Sequence, residues 1–547
     1  MFKPTIDMGY EIFEKREELT HTLAYALIDG LCKAADTSDL LCDFTFGKKN
    51  YSGADLLCTA AALSKHIKAA NFGERAGITI PPSFIAVVAN YACILAKVKP
   101  INLNFTLGPV AAKSCIETAN ITKIITTSLS TEKISLANPL FPWTPETFDV
   151  ATVLEQIPQE EFDEARTKIA EGPDAFADWL GIEKYADTSK PSPEATLVFT
   201  SGSEGAPKAA ILTERNIIAN CLQTSLSKVF DLGKVLLANL PIFHSFGLLF
   251  EVWYMAIEQQ KIVSLASPLD IKNNIRAVKE KEATYIIGSP TFFRAYIKHA
   301  KPEDLQSIQK AIAGAEKTPI GFHELWNSKF GDSYREGYGL TEASPVVGVN
   351  LPECDFGWFS TGSRKGSIGK LFAGMSAAVL NPATLEVLPM GEQGLLAMRG
   401  ANIFAGYLNN PDATENSLKN GWLITGDLAR LDTDGFLYID GRLSRFSKIG
   451  GEMVPHATVE AALNNALGLA TKSDIPLIAI SARLDEGKGE AIVLISACDI
   501  TLAQAKEALR QAGISNLWHP KHLVHVDSIP LLPSGKLDLK KISEIAK

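Results

Sequence analysis

The sequence predicts an α/β protein: a mostly parallel sheet with helices on both faces, then a smaller β subdomain and a compact C-terminal module. Three observations carry that expectation. Helical and strand periods alternate through residues 1–350, the pattern of a parallel sheet covered on both faces. From about 366 to 440 the spacing shortens, glycines multiply and apolar residues alternate, as in Ala377-Ala378-Val379-Leu380 and Gly394-Leu395-Leu396-Ala397-Met398. After residue 440 a charged turn, Gly441-Arg442-Leu443-Ser444-Arg445, opens a last α/β stretch that runs to Lys547. A chain of 547 residues exceeds one hydrophobic core. The expected division is a large domain over 1–440, its β subdomain at about 366–440, and a small domain over 441–547.

Taken in order, 11–34 has the apolar period of one long amphipathic helix and 55–69 that of a second, with Gly73 and Gly77 at its end. A strand is expected to close at 79–81, a buried helix to fill 84–97 and an extended segment to follow at 100–104. The polar, Pro-rich stretches 139–147 and 188–194 read as loops. Strands at 196–200, 235–240, 285–288 and 311–313 each end in a turn of polar residues. Ligands of open α/β sheets sit outside such strand ends, so the four suggest one shared cleft.

Composition narrows the class. The chain is 46% hydrophobic and 21% charged, and its net charge of −9 argues against a nucleic-acid partner. Residues 441–547 hold 13 Lys/Arg against 11 Asp/Glu, a charge of +2, which leaves −11 for the remainder. The C-terminal module is therefore the better face for an acidic partner. Eight scattered cysteines form no CxxC pair and fit a reducing compartment. The first 18 residues carry no apolar signal core, and the longest apolar run, 84–96, is too short to span a bilayer. The expectation is a cytoplasmic protein with no transmembrane segment, leaving room for peripheral membrane contact.

The chemistry is concentrated in short motifs. Leu197-Val198-Phe199 leads into Thr200-Ser201-Gly202-Ser203-Glu204-Gly205-Ala206-Pro207-Lys208, a strand opening into a small-residue turn. Bare N–H groups, hydroxyls and the Lys208 charge suit an anion there, and Gly202 and Gly205 permit close backbone approach. The loop is not a Walker P-loop, which would end in Gly-Lys-Ser/Thr; an ordinary Ser/Gly turn would look similar by itself. Glu336-Gly337-Tyr338-Gly339-Leu340-Thr341-Glu342 offers a tyrosine ring for a planar group, a hydroxyl for phosphate and a hard carboxylate oxygen suited to Mg²⁺. Upstream, Gly314-Ala315-Glu316-Lys317 reads as a loop at the edge of that planar group. In Thr425-Gly426-Asp427 the carboxylate can accept both hydroxyls of a ribose; Arg442, fifteen residues on, either joins it or forms a surface ion pair. Leu532-Pro533-Ser534-Gly535-Lys536 presents a lysine on a turn, a solvated charge or a cation delivered to a site. In Pro241-Ile242-Phe243-His244-Ser245-Phe246-Gly247 the histidine is either packed among aromatics or placed to admit a substrate carboxylate.

Together and in this order, the motifs resemble the adenylate-forming superfamily of acyl-CoA synthetases, luciferases and peptide-synthetase adenylation domains, from about residue 51 to the end. The TSGSEG loop, 241–247, 313–317 and Lys448-Ile449-Gly450-Gly451-Glu452-Met453-Val454 look most like bacterial acyl-[acyl-carrier-protein] synthetases, which some bacteria fuse to an acyltransferase. No acyltransferase HxxxxD module precedes the resemblance, so the ligase alone is expected. The resemblance implies a large two-sheet α/β domain with a β subdomain and a small mobile α+β domain. It implies ATP and Mg²⁺ as cofactors, a fatty acid as substrate, and a phosphopantetheine thiol of acyl carrier protein, or of CoA, as acceptor.

By that resemblance Thr200 to Lys208, including Ser201, Gly202, Ser203, Glu204 and Gly205, cradle the β- and γ-phosphates. Thr200 or Thr341 steadies the α-phosphate, and Glu342 with Thr200 holds the metal. Tyr338 and Gly339 take the adenine face, and Gly314, Ala315 and Glu316 its edge. Asp427 and Arg442 hold the ribose, and Lys536 bridges carboxylate and nucleotide. The small domain then rotates, bringing Lys448, Gly450 and Gly451 to the thiol arm. Two positions depart from the family pattern. The hinge residue, commonly Asp or Lys, is Ser444, and a glycine usual after the Pro-Lys pair is Ala209, which matters if that position needs positive φ. A peptide-synthetase role would need an Asp near Phe243, where His244 stands. A catalytically inactive nucleotide- or lipid-binding homologue is disfavoured by the intact Lys536, Glu342 and Asp427.

Overall fold

The structure, a computed structural model of the chain, describes residues 2–547 except 144–145, 201–206, 450–451, 470–472, 474, 486–488 and 532–536; at 444, 448, 452, 453 and 489 it describes the backbone only. Its largest element is a nine-stranded sheet. Six strands run parallel in the order Tyr334–Gly339, Lys310–Ala313, Tyr285–Gly288, Val235–Ala238, Lys261–Ser264 and Leu41–Asp43. Antiparallel strands close both edges: Val346–Val349 and Lys370–Leu371 on one side, Lys49–Tyr51 on the other. Successive residues face opposite cores: Ile287 and Ile312 belong to one apolar cluster, Ile286 and Ala311 to another. Burial on both faces is what makes these strands read as continuous apolar runs.

A second parallel sheet, of Lys99–Asn102, Arg75–Ile78, Lys123–Thr126 and Glu146–Asp149, lies earlier in the chain. Beside it runs an antiparallel ribbon of Glu194–Thr200, Lys208–Thr213 and Gly406–Tyr407. Thr196 Oγ1 donates to the Pro100 carbonyl at 2.6 Å, and Arg75 forks onto Glu194 at 2.7 and 2.8 Å. Ser376–Leu380, Gly394–Arg399, Trp422–Leu431 and Leu437–Arg442 form an antiparallel sheet that also takes in Ile6–Asp7 from the other end of the chain. The last sheet is built from Phe446–Ile449, Glu452–Pro455, Ile478–Asp485, Gly489–Ser496 and His522–His525. Its two apolar clusters draw only on residues after 448. Among the described residues no helix is long and apolar enough to cross a membrane.

Several expected elements differ. The helix expected over 11–34 is broken into Tyr10–Phe13, a 3₁₀ turn Glu17–Thr20 and Leu23–Lys33. Residues 20–22 pair instead with 184–186 (Thr22 N–H to the Lys184 carbonyl, Ala186 N–H to that of Thr20), and Thr22 Oγ1 caps a fresh helix by accepting from Tyr25 N–H. Gly77 is not a helix end but lies inside Arg75–Ile78, where a Cβ would meet Leu103 Cδ1 at 3.0 Å. The buried helix stops at Leu95, and the chain reverses at Lys97, φ +61°. Part of the expected loop 139–147 is strand, Glu146–Asp149, whose Asp149 caps the next helix. The strand before the small-residue loop belongs to the antiparallel ribbon, not to the parallel set expected to hold it.

In the C-terminal sheet, His456 Nε2 and Ser447 Oγ lie 2.7 Å apart and buried. Burial, with the nearby Arg445 charge, pushes the imidazole down to about 3. The unfolded chain takes up this proton near pH 6.5 and the folded one does not. The folded pKa is depressed, so this stability is complete above pH 6.5 and falls with pH, by about 1.4 kcal/mol per unit, until the folded pKa is reached. Urea unfolding between about pH 7 and pH 4 is expected to fall more steeply for the parent than for His456→Gln; equal slopes would show that His456 does not govern it.

Candidate functional site

The parallel strands deliver their carboxyl ends to one cavity of about 2350 Å³. Val235–Ala238 leads to His244 and Ser245, Lys310–Ala313 to Gly314, Ala315 and Glu316, and Tyr334–Gly339 to Thr341 and Glu342; all of these line the wall. Thr200 and Lys208 reach the same wall from the antiparallel ribbon, and Tyr338, Gly339, Tyr407, Arg442 and Arg445 complete it. The shared cleft expected from sequence is therefore present, though one contributing strand comes from a different sheet.

The side chains around it are interlocked. Thr200 and Lys208 are cross-strand partners, with Thr200 Oγ1 3.5 Å from the Lys208 carbonyl. Lys208 Nζ stands 5.5 Å from the Tyr407 ring centroid, and the Tyr407 hydroxyl donates to Glu342 Oε1 at 2.6 Å. Burial and that carboxylate raise the Tyr407 pKa, so it stays a donor. Thr341 Oγ1 and Ser245 Oγ are 3.2 Å apart. Glu316 accepts from Thr291 Oγ1 at 2.6 Å, and the His244 ring accepts from the Phe246 N–H at 3.4 Å, opening the next helical turn. Ala315 has φ +68°, a left-handed conformation that side chains other than glycine adopt at a cost.

Asp427 sits one layer behind the wall, its side chain 6% exposed. It is the register partner of Arg442 across two antiparallel strands, which explains their fifteen-residue spacing. Arg442 Nε lies 2.9 Å from Oδ1, the Tyr338 hydroxyl donates to Oδ2, and the Asp427 N–H donates to Thr425 Oγ1 at 3.1 Å. Burial pushes the carboxyl above its usual range, while the guanidinium and phenol draw it back. Burial and the adjacent carboxylate push the Tyr338 phenol well up.

Other expected positions are settled only in part. Ser201, Gly202, Ser203, Glu204, Gly205, Gly450, Gly451 and Lys536 lie outside the described residues. Lys448 is on Phe446–Ile449 and Ser444 in the turn Leu443–Arg445, each with its backbone alone described. Ala209 lies in the extended strand Lys208–Thr213, so no left-handed backbone is asked of it. Sequence reasoning missed Tyr407, Ser245 and Arg445. The Gly406-Tyr407 pair, which repeats the Gly337-Tyr338 arrangement, was the available signal.

Residues 34–408 match the family model described as AMP-binding enzyme. The chain belongs to the AMP-binding enzyme family. Within that family it is 30% identical over 389 residues to a 4-coumarate--CoA ligase-like 9 of Arabidopsis thaliana (68% of this chain, 66% of the relative). It is 31% identical over 274 residues to a long-chain-fatty-acid--CoA ligase of Bacillus subtilis (49% of this chain, 47% of the relative). The matched stretch thus spans from about half to just under two thirds of these relatives' lengths. Among solved structures, the o-succinylbenzoate CoA synthetase of Bacillus subtilis with its acyl-adenylate intermediate aligns with TM-score 0.76 at 22% identity, over 94% of this chain and 97% of that one. That likeness establishes the AMP-binding fold.

The half-buried Tyr338–Asp427 contact should couple energetically. Tyr338→Phe keeps the ring but strips the carboxylate of a donor, a loss of about 1–3 kcal/mol. Thermal unfolding of Tyr338→Phe, Asp427→Asn and the double variant is expected to be non-additive by about 1 kcal/mol or more; additive losses would show the contact to be energetically idle.

Proposed function

We propose that this AMP-binding enzyme is an acid–thiol ligase that activates a fatty acid as its acyl adenylate and passes the acyl group to a phosphopantetheine thiol. One observation carries the reading: the cavity has a polar end and an apolar arm. Tyr338, Thr341, Glu342 and Lys208 gather at the first. Leu240, Phe246, Phe250, Ile287, Ile312 and Val349, all apolar, line the same cavity, with Phe246 packing on Phe250 and both Ile312 and Val349 beside Gly337, and we read them as the second. A carboxylate with a hydrocarbon tail matches that polarity; a dicarboxylate or an amino acid would leave a charge unpaired in the arm.

The reaction divides into two displacements. A carboxylate oxygen attacks the α-phosphorus of ATP, the bond to the β-phosphate oxygen breaks, and pyrophosphate departs. A thiol sulfur then attacks the acyl carbon, loses its proton, and expels AMP. Positioning and charge neutralisation do most of this work. In our reading the turn 200–208 cradles the β- and γ-phosphates, and Thr200 or Thr341 orients the α-phosphate. Tyr338 stacks on adenine, with Gly339 beside it, over Gly314, Ala315 and Glu316, while Asp427 and Arg442 take the sugar. His244 borders the approach of the substrate carboxylate. Lys536 neutralises charge between carboxylate and nucleotide, and Lys448 with Gly450 and Gly451 serves the thiol step after residues 441–547 rotate about Ser444.

The residues present fit magnesium. No group of three His, Cys, Asp or Glu side chains among the described residues could hold a metal ion alone. Glu342 instead offers one hard carboxylate at the wall, Tyr407 holding one of its oxygens, and Mg²⁺ takes such a site when phosphate oxygens and water fill the remainder. It would supply charge neutralisation to the phosphates.

Acyl carrier protein as the acceptor is supported by the motif around 448–454. The second reading, CoA, is supported by relatives named as CoA ligases. Comparing turnover on CoA with turnover on holo-carrier protein separates them. Lys536→Ala is expected to lower fatty-acid-dependent pyrophosphate exchange by about 100-fold or more, an electrostatic loss of about 3 kcal/mol, while sparing thioester formation from supplied acyl adenylate. Exchange at the parent rate would refute the role of Lys536, and no exchange by the parent with any fatty acid would refute the ligase reading.

A further inference from the structure

The apolar lining reaches back along the sheet. Ile287 and Ile312, register partners on neighbouring strands, line the cavity together with Val229 and Phe230, and Phe230 packs on Tyr285, at the opposite end of the strand Tyr285–Gly288 from the cavity-lining Gly288. These two come just after the helix Glu214–Leu226. The Phe230 ring meets Phe250 edge-on at 5.4 Å between centroids, with Tyr285 at 5.1 Å and Tyr254 at 5.8 Å. Phe230 and Phe250 face the cavity; Tyr254 is buried behind them.

The backbone that carries Phe230 is pinned from outside the arm. Lys310 Nζ donates to the carbonyls of Val229 at 2.8 Å and Lys228 at 3.2 Å. The Tyr285 hydroxyl donates to Asp231 Oδ2 at 2.6 Å, and the Asp231 N–H returns a bond to that hydroxyl at 3.1 Å. Four hydrogen bonds thus hold residues 228–231, and moving the Phe230 ring aside with its backbone would break them.

We propose that Phe230 sets the acyl chain length this protein selects, its ring being the floor on which the terminal methyl of the substrate rests. The inference rests on the ligase reading above. A tail that is too long meets a ring held by three aromatic neighbours, and one that is too short leaves apolar wall exposed.

The test is kcat/KM across saturated fatty acids of increasing length, read by pyrophosphate release, for the parent, Phe230→Ala, Phe230→Trp and Tyr254→Phe. Phe230→Ala should move the optimum to acids longer by roughly two carbons or more, each newly buried methylene raising kcat/KM about 4-fold. Phe230→Trp should move it to shorter acids, and Tyr254→Phe, which changes the packing behind the ring, should leave it in place. Phe230→Trp decides the matter by itself if the alanine variant does not fold, as judged by circular dichroism. An unchanged optimum in folded Phe230 variants overturns the floor, as does an equal shift in Tyr254→Phe. Failure of the parent to activate any acid refutes the ligase reading instead.

Discussion

The buried carboxylate of Asp427 ties together three parts of this molecule. It belongs to the antiparallel sheet, yet one of its partners, Tyr338, lies in a strand of the nine-stranded sheet, one residue before its end, and the other, Arg442, is the last residue before the turn into the C-terminal sheet. A carboxylate so enclosed is costly unless paired and hydrogen-bonded. Both of its oxygens are engaged, so two large sheets and the connection to a third meet at one charge. Arg442 is 58% exposed where Asp427 is 6%. The anchor is on the inside and its counter-charge stands at the boundary.

The cavity's two characters arise from the same topology. Parallel strands buried on both faces must be apolar along their length, while their carboxyl ends open into loops where backbone and polar groups are free to face a ligand. A tunnel along the sheet face inherits the first property and its mouth the second. The apolar and polar parts of the lining thus both follow from the parallel sheet that supplies most of the wall.

The sequence made the mouth legible and left the arm dark, for a physical reason. Turn motifs such as 336–342 and 425–427 are local, because the chemistry needs glycines, hydroxyls and carboxylates at fixed offsets. Ile312, Phe246 and Phe230 are ordinary core residues by type, and only the way the sheet brings them together turns them into a wall. The break in the helix expected over 11–34 has the same origin: its period is helical, but pairing of residues 20–22 with 184–186 overrides it. The strand at 196–200 was legible as a strand, though it begins two residues earlier, at Glu194, whereas its antiparallel partner was not, since the small-residue stretch after it reads as a ligand loop. Tyr407 escaped because its importance lies in Glu342 and Lys208, far away in sequence and close in space.

The enclosure of Asp427 also bears on how a sugar could be read there. A carboxylate has about four acceptor positions, and Tyr338 and Arg442 each take one side-chain bond to it. In the proposed reading, a pair of ribose hydroxyls would have to add to those bonds rather than displace them. The phenol pKa stands well above its usual value, and the guanidinium is also raised, chiefly by Asp427 itself. Both donors therefore keep their protons near neutral pH. The carboxylate is held on both oxygens by its two donors, and in the proposed reading that preorganisation is what would let a single acidic side chain select a diol.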